Sequence, residues 1–129
     1  MGRQIISTPS APSSPLFSQG VKAGSLLFVS GMTGTDPQTK QLAGATIQAQ
    51  TRQALANCEK VLVAAGLGRD DVVDVQVLLT CPEDFAGMNE AYAEFFTNEP
   101  PARSVAKLGV DLPGLLVSIR MTAAERTSG

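Results

Sequence analysis

Apolar residues return along two stretches of the chain at the spacing of an α-helix. Over residues 46–65 they fall on one helical face, and the charged side chains lie off that face. These positions are Ile47, Ala54, Leu55, Cys58, Val61, Leu62 and Ala65. Over residues 83–96 a second stripe consists of Phe85, Met88, Tyr92 and Phe95. Two amphipathic helices are therefore predicted, the first capped by Thr46 and ended by Gly66.

Alternation of side chains predicts the strands. In the stretch DVVDVQVLLT, one strand face carries Val73, Val75, Val77 and Leu79. The other face of that strand carries Val72, Asp74, Gln76 and Leu78. Further strands are predicted over residues 4–7, 17–22, 26–30, 103–108 and 115–123. Residues 31–45 show no period and are predicted to form a long loop, which is a candidate to line a site.

The order of these elements predicts the fold class. Three strands, a helix, a strand, a helix and two strands indicate an α+β protein, with a mixed sheet of about six strands and two helices packed on one face. The length of 129 residues fits a single domain over residues 1–129. The sheet face opposite the helices would carry Val72, Leu78 and Leu116, so we expect other subunits to cover it in a closed symmetric oligomer.

The composition excludes several kinds of partner and several kinds of catalytic group. The net charge is −2 and no cluster of Lys or Arg occurs, so neither nucleic acid nor a membrane is expected as a partner. No signal peptide or membrane-spanning stretch is recognised, which favours a cytoplasmic protein. The chain has no histidine, which removes Ser-His and Cys-His nucleophiles and histidine-bound metals; no metal or cofactor is expected. The two cysteines, Cys58 and Cys81, are interpreted as buried thiols.

Two polar residues stand beside apolar patterns. In PPARSV, Arg103 lies between a pair of prolines and an apolar run, and an isolated arginine is most often an ordinary surface group. Asn89 lies beside the stripe of the second helix, where an amide is most often a half-buried group bonded to the backbone. The residues alone therefore leave a functional role for either of them open.

Several separated stretches together resemble one family. FSQGVKAGSLLFVSG, QTRQALANCEKVLVAAG, DVVDVQVLLT, DFAGMNEAYAEFF and PPARS are similar, in order and spacing, to the RidA/YjgF family of enamine/imine deaminases. The resemblance covers about residues 17–123. It implies a chorismate-mutase-like subunit in a homotrimer, with sites in the clefts between subunits. It also implies hydrolysis of reactive 2-imino acids to 2-keto acids and ammonia without a cofactor.

The resemblance assigns roles to individual positions. Arg103 matches the arginine that clamps the substrate carboxylate, and a guanidinium offers two parallel donors that suit this task. Ser30 and Asn89 match residues near the cleft. Gly31 and Val105 match places where the main chain approaches the ligand.

Four positions depart from the pattern of the deaminating members. Phe17 replaces a tyrosine, Val105 replaces a cysteine that is often present, and Ser118 replaces the glutamate that orients or activates the attacking water. A serine hydroxyl can hold a water, but its very high pKa makes it a poor general base. Arg120 follows on the same strand face, where deaminating members carry an acidic residue.

These departures leave several readings open. One is an imine hydrolase, weak or altered, with Arg103 and Ser118 in the catalytic site. Another is a non-catalytic protein that binds a small carboxylate such as a keto acid or dicarboxylate. A third is a pathway-specific relative with a larger or doubly anionic substrate, for which Arg120 is the second anion contact. In a fourth, Ser118 and Arg120 only solvate a channel in the trimer.

Overall fold

Two α-helices and six strands form the fold in the computed structural model, which describes residues 2–126. They are β1 Gln4–Ile6, β2 Gly20–Ala23, β3 Leu26–Thr33, α1 Ile47–Ala64, β4 Val72–Leu79, α2 Phe85–Phe95, β5 Ala102–Lys107 and β6 Val117–Ala124. The strands make one sheet in the order β1-β2-β3-β6-β4-β5. All neighbouring pairs are antiparallel except β4 and β5, which are parallel. The predicted α+β class and mixed sheet are confirmed.

Helix α1 forms where the periodicity predicts it. The Thr46 side chain accepts a hydrogen bond from the Ala49 backbone N–H at 3.2 Å, which satisfies one of the free donors of the first turn. The chain leaves the helix through Gly66, whose φ of +80° lies in the left-handed region that glycine adopts without a Cβ clash. The apolar stripe of α1 is buried against the sheet, as expected from its spacing.

The core lies between the helices and one face of the sheet. Its fully buried members include Leu27, Val29, Leu55, Cys58, Val75, Val77, Met88, Ile119 and Met121. Burial raises the pKa of the Cys58 thiol, which keeps this group protonated and unreactive. Cys81 is exposed, so its interpretation as a buried thiol is wrong; it lies after the end of β4, outside the sheet.

Strand β4 contains a bulge that its sequence pattern does not predict. The pairing with β6 shifts between Val72 and Asp74, so an extra residue is accommodated there. As a result Val72 is buried in the core with 7% of its surface exposed, whereas Val73 is 47% exposed. The predicted faces of these two valines are therefore wrong, and the alternation holds only from Val75 onwards.

The other strand boundaries differ modestly from prediction. Strand β2 begins at Gly20 because Phe17 pairs only in an isolated bridge with Ser14. Strand β3 continues to Thr33, past its predicted end, because a bulge opposite Arg120 lets its pairing with β6 resume.

The sheet face opposite the helices carries apolar side chains among polar ones. Leu26 and Phe28 of β3 are each 38% exposed, and Leu78 of β4 is half-buried. Leu116 does not lie on this face, contrary to expectation, because β6 begins after it and its side chain packs against the core. No helix among residues 2–126 covers this face, which we call the open face.

Candidate functional site

Arg103 lies on the edge strand β5, on the side of the sheet that faces the helices. It pairs with the buried Val75 of β4, and paired residues point to the same side of a sheet. Its Nη1 donates a hydrogen bond to the Oδ1 of Asn89 on α2, at 2.8 Å. Asn89 is half-buried and uses its side chain for this contact. The two residues that the family resemblance singles out are thus in direct contact.

Aromatic side chains of α2 complete the support of this guanidinium. The Cζ of Arg103 lies 4.8 Å from the ring centroid of Tyr92 and 6.0 Å from that of Phe85. Phe85, Asn89 and Tyr92 share one side of α2 because they are spaced by about one helical turn. A cation above an aromatic face is stabilised by the ring quadrupole. The hydrogen bond to Asn89 involves one guanidinium N–H, which leaves other donors for a bidentate anion.

Tyr92 is buried to an unusual degree for a phenol. Only 7% of its surface is exposed, and among residues 2–126 its hydroxyl has no hydrogen-bond partner. This burial raises the pKa of Tyr92, while the charge of Arg103 acts in the opposite direction. The ring therefore acts as a neutral platform under Arg103.

An apolar groove lies beside Phe85 and the later part of β5. Its volume is about 420 Å³. The lining residues are Leu79, Pro82, Phe85, Val105, Ala106 and Lys107. Phe85 belongs both to the groove and to the surroundings of Arg103, so the guanidinium lies near the groove, although Arg103 does not itself line it.

A second group of predicted site residues lies on β3 and β6. A Cβ added at Gly31 would be 3.2 Å from the Oγ of Ser118, so these residues are neighbours across the two strands. The Ser30 hydroxyl donates to the backbone carbonyl of Ser18, and the Ser30 N–H donates to the carbonyl of Gln19 at 2.9 Å. Ser30 therefore ties β3 to the segment before β2.

Two further predicted site residues are Phe17, which lies before β2, and Arg120 of β6. Phe17 is 40% exposed and lines a surface cavity with Ile5 and Ser18. Arg120 is exposed, pairs with Gln76, and forms no salt bridge among the described residues. It shares the strand face of Ser118, as the alternation predicts.

The two groups lie on opposite faces of the sheet. Ser118 pairs with Leu78, which pairs in turn with Ala106, whereas Val77 pairs with Val105. Ser118 is therefore on the open face, and the side chains of Arg103 and Val105 are on the helix face. The structure brings Arg103 to Asn89 and Gly31 to Ser118, but one chain does not bring Arg103 to Ser118.

Sequence reasoning named Arg103 and Asn89 but missed the aromatic platform. The helical spacing of Phe85 and Tyr92 predicts only an apolar stripe, whereas Phe85 is 46% exposed. The signal that would have found them is their spacing from Asn89, three and four residues away on one helix.

Residues 2–126 offer neither a cluster of metal ligands nor a membrane-spanning helix. No group of three or more His, Cys, Asp or Glu side chains is placed to hold a metal ion. No helix in that part of the chain is both long and apolar enough to cross a bilayer. The cytoplasmic location and the lack of a nucleic-acid partner stay predictions.

Comparison with known proteins agrees with this architecture. The family described as endoribonuclease L-PSP matches residues 8–125. A RutC family protein of Pyrococcus horikoshii is 39% identical over 123 residues, which cover 94% of this chain and 97% of the relative. The 2-iminobutanoate/2-iminopropanoate deaminase of Mus musculus is 34% identical over 124 residues, which cover 95% of this chain and 92% of the relative.

A solved structure supports the same assignment. The crystal structure of E. coli TdcF with bound serine is similar with a TM-score of 0.89 and 34% identity, covering 95% of this chain and 99% of that one. The sheet and its two helices define a chorismate-mutase-like α+β subunit. The chain belongs to the endoribonuclease L-PSP family, which is the RidA/YjgF family.

Proposed function

We propose that this protein hydrolyses reactive 2-imino acids to 2-keto acids and ammonia, with Arg103 as the clamp for the substrate carboxylate. The observation that carries the proposal is the support of its guanidinium by Asn89 at 2.8 Å and by the ring of Tyr92 at 4.8 Å. Relatives that share most of the chain include 2-iminobutanoate/2-iminopropanoate deaminases, which supports the reaction class.

Arg103 is proposed to accelerate hydrolysis by positioning the substrate against the attacking water. A carboxylate held bidentately fixes the adjacent C=N carbon against a bound water, which removes part of the entropic cost of bringing the two together. Water adds to the imine carbon, one of its protons moves to the imine nitrogen, and the carbinolamine then expels ammonia and leaves the keto acid. The imine nitrogen is itself a base, so the reaction does not require a protein carboxylate to proceed.

Ser118 is the proposed partner of the attacking water. Its hydroxyl can accept and donate a hydrogen bond but cannot remove a proton at neutral pH. A positioned acid or base typically contributes about 10²–10⁴-fold in rate, so this enzyme should be slower than a relative with glutamate at this position.

The active site is proposed to form between subunits of a homotrimer. Arg103 and Ser118 lie on opposite faces of one sheet, so a single chain cannot offer both to one ligand. A neighbouring chain whose open face meets the β5 edge would supply Ser118, Gly31 and Phe17 to the Arg103 clamp. The apolar side chains of the open face, Leu26 and Phe28, suit such a contact.

The test is release of ammonia and keto acid from 2-iminopropanoate, generated in the assay by an amino-acid oxidase. The wild type should exceed the rate in buffer, and Arg103→Ala should return it to that rate. Ser118→Glu should raise the rate by about 10²-fold or more, because it supplies the missing acid/base group. Equal rates for wild type and Arg103→Ala, both at the level of buffer, would refute the proposal.

A second candidate is a non-catalytic protein that binds a small carboxylate. It is favoured by Ser118 in place of an acid, together with an Arg103 guanidinium that pairs with Asn89 and with no carboxylate among residues 2–126. A thermal-shift series with keto acids and dicarboxylates should then show stabilisation that Arg103→Ala abolishes, without ammonia release. If Arg120 is a second anion contact, Arg120→Ala should weaken a dicarboxylate more than a monocarboxylate.

A further inference from the structure

Strand β5 arranges three side chains in a row beside α2. Arg103, Val105 and Lys107 occupy alternate positions, so they point to the same side of the sheet. Successive members of the row are about 7 Å apart, from a rise of about 3.3 Å per residue. The row therefore places a cation, an apolar surface and a second cation along one line, and the last two line the groove.

The walls of the groove are almost entirely apolar. Leu79, which is 5% exposed, forms a buried part of the lining, and Pro82 and Phe85 come from the turn and helix that follow it. Lys107 is the one charged lining residue, and its methylene stem can lie along apolar surface while its ammonium group stays in water. The groove thus favours an apolar occupant whose far end reaches solvent.

Phe85 does not contribute to the buried core, although it lies on the apolar stripe of α2. As the first residue of α2 it leaves 46% of its surface accessible, and its ring lies 6.0 Å from the Cζ of Arg103. A groove of about 420 Å³ is within the range of about 300–1,000 Å³ that encloses sizeable ligands. The side chain of a three- or four-carbon acid anchored at Arg103 would leave most of this apolar surface in contact with water.

We propose that the preferred substrates carry an apolar side chain of at least four carbon atoms, branched or aromatic, which lies in this groove while Arg103 holds the carboxylate. Phe85 and Val105 are then specificity-determining residues. The inference rests on the proposed function only for the role of Arg103 as carboxylate clamp. It goes beyond that function by naming the substrate class.

The test measures binding of stable 2-keto acids, which differ from the imino acids only in the atom doubly bonded to C2. Isothermal titration of the wild-type protein compares four acids, which are pyruvate, 2-oxobutanoate, 4-methyl-2-oxopentanoate and phenylpyruvate, and adds 2-oxoglutarate as a dicarboxylate reference. Each fully buried methylene contributes about fourfold in affinity. With about half of the added surface buried, 4-methyl-2-oxopentanoate and phenylpyruvate should bind about tenfold more tightly than pyruvate.

Phe85→Ala removes one wall of the groove and should lower the affinity ratio of 4-methyl-2-oxopentanoate to pyruvate from about tenfold to about twofold or less; the ratio is the readout because Phe85 also flanks Arg103, so pyruvate binding itself can weaken. Val63→Ala is the matched control, because Val63 is an exposed apolar residue of α1, 62% accessible, and does not line the groove. This control should bind all four acids as the wild type does. Initial rates of hydrolysis of the corresponding imines, generated from alanine and leucine, provide a second readout.

The possible results separate the two proposals. Equal affinity for all four acids, with Arg103→Ala abolishing binding, would overturn the groove assignment and leave the clamp intact. Graded affinity without ammonia release would refute hydrolysis and support the groove. Tighter binding of 2-oxoglutarate than of 4-methyl-2-oxopentanoate would overturn the assignment in favour of a second anion site at Lys107. Failure of every acid to bind would overturn both.

Discussion

The ring and the hydroxyl of Tyr92 have opposite effects on stability. Its ring supports the guanidinium of Arg103 at 4.8 Å, whereas its buried hydroxyl has no hydrogen-bond partner among residues 2–126. An unsatisfied buried hydroxyl costs about 1–3 kcal/mol, and a cation–π contact contributes about 0.5–2 kcal/mol. Substitutions that keep only the ring, or neither group, can therefore assign the two effects.

We expect Tyr92→Phe to bind pyruvate within about twofold of wild type and to be as stable or up to about 1 kcal/mol more stable, because it removes only the unpaired hydroxyl. Tyr92→Leu should weaken pyruvate binding by roughly 3- to 10-fold, because the aromatic face under Arg103 is lost. Titration calorimetry and thermal unfolding measure the two quantities. Equal weakening by both variants would show that the hydroxyl, and not the ring, supports the clamp.

The same tyrosine predicts how stability depends on alkaline pH. Burial raises the pKa of Tyr92 above its ordinary value near 10, so the folded state holds this proton more tightly than the unfolded state. The resulting stability is fully present below about pH 10 and is lost as the pH rises towards the pKa of the folded state. Tyr92 is the only tyrosine and the chain has no tryptophan, so ultraviolet absorbance of tyrosinate follows this group alone.

The measurement compares denaturant unfolding of wild type and Tyr92→Phe across the alkaline range. The free energy of unfolding should fall more steeply with pH in the wild type, because only it has this phenol to ionise. Parallel curves, or a tyrosinate titration of the native protein at the ordinary pKa, would contradict the expected shift.

At the scale of elements, the crossing of α1 and α2 depends on the missing side chain of Gly87. A Cβ at this position would lie 2.6 Å from the Cγ2 of Ile47 and 2.9 Å from the Nε2 of Gln48. The Ile47 methyl belongs to a stiff β-branched side chain that is itself buried, so it cannot move aside freely. Gly87 therefore allows α2 to approach α1 closely enough to place Asn89 and Tyr92 beside Arg103.

Gly87→Ala should destabilise the protein by about 1–3 kcal/mol through overpacking, although alanine is the better helix former by about 1 kcal/mol. Carboxylate binding should weaken as well, because the displaced helix carries the support of Arg103. Ala86→Gly is the matched control on the exposed side of the same helix, with an expected cost of about 0.5–1 kcal/mol and unchanged binding. A Gly87→Ala variant more stable than wild type would disprove the close-packing account.

Periodicity is a property of single elements, and this limits what the sequence alone could predict. The helix stripes and most of the alternation in β4 and β6 were predicted because each depends on local spacing. The bulges at Val72–Asp74 and opposite Arg120 depend on pairing between strands that are distant in the chain, and no local pattern encodes that register. The register also determines that Arg103 and Ser118 are on opposite faces, so this part of the site required the structure.

At the scale of the whole molecule, the placement of Arg103 and Ser118 on opposite faces of the sheet and the apolar open face together predict an oligomer. The assembled protein should be a trimer of about 40 kDa, three times the 13.4 kDa of the chain. Phe28→Asp should lower this mass in light scattering, because a charge would be buried against the neighbouring subunit. Val63→Asp, an exposed change on α1 away from the open face, should leave it unaltered.

Mixed oligomers test directly whether each site takes residues from two chains. Arg103→Ala removes the clamp. Ser118→Trp should block the part of the site around Ser118 and Gly31 with a bulky ring. Each variant alone should therefore fail to bind a keto acid. If each site combines residue 103 of one chain with residue 118 of another, random 1:1 assembly leaves both native residues at about one quarter of all sites, and at about one third of the sites in the mixed trimers that carry both tags. Co-expression of the two variants with different affinity tags, followed by tandem purification and calorimetry, measures that fraction. A site built within one chain would give no recovery in any mixture, because every chain carries one of the two substitutions.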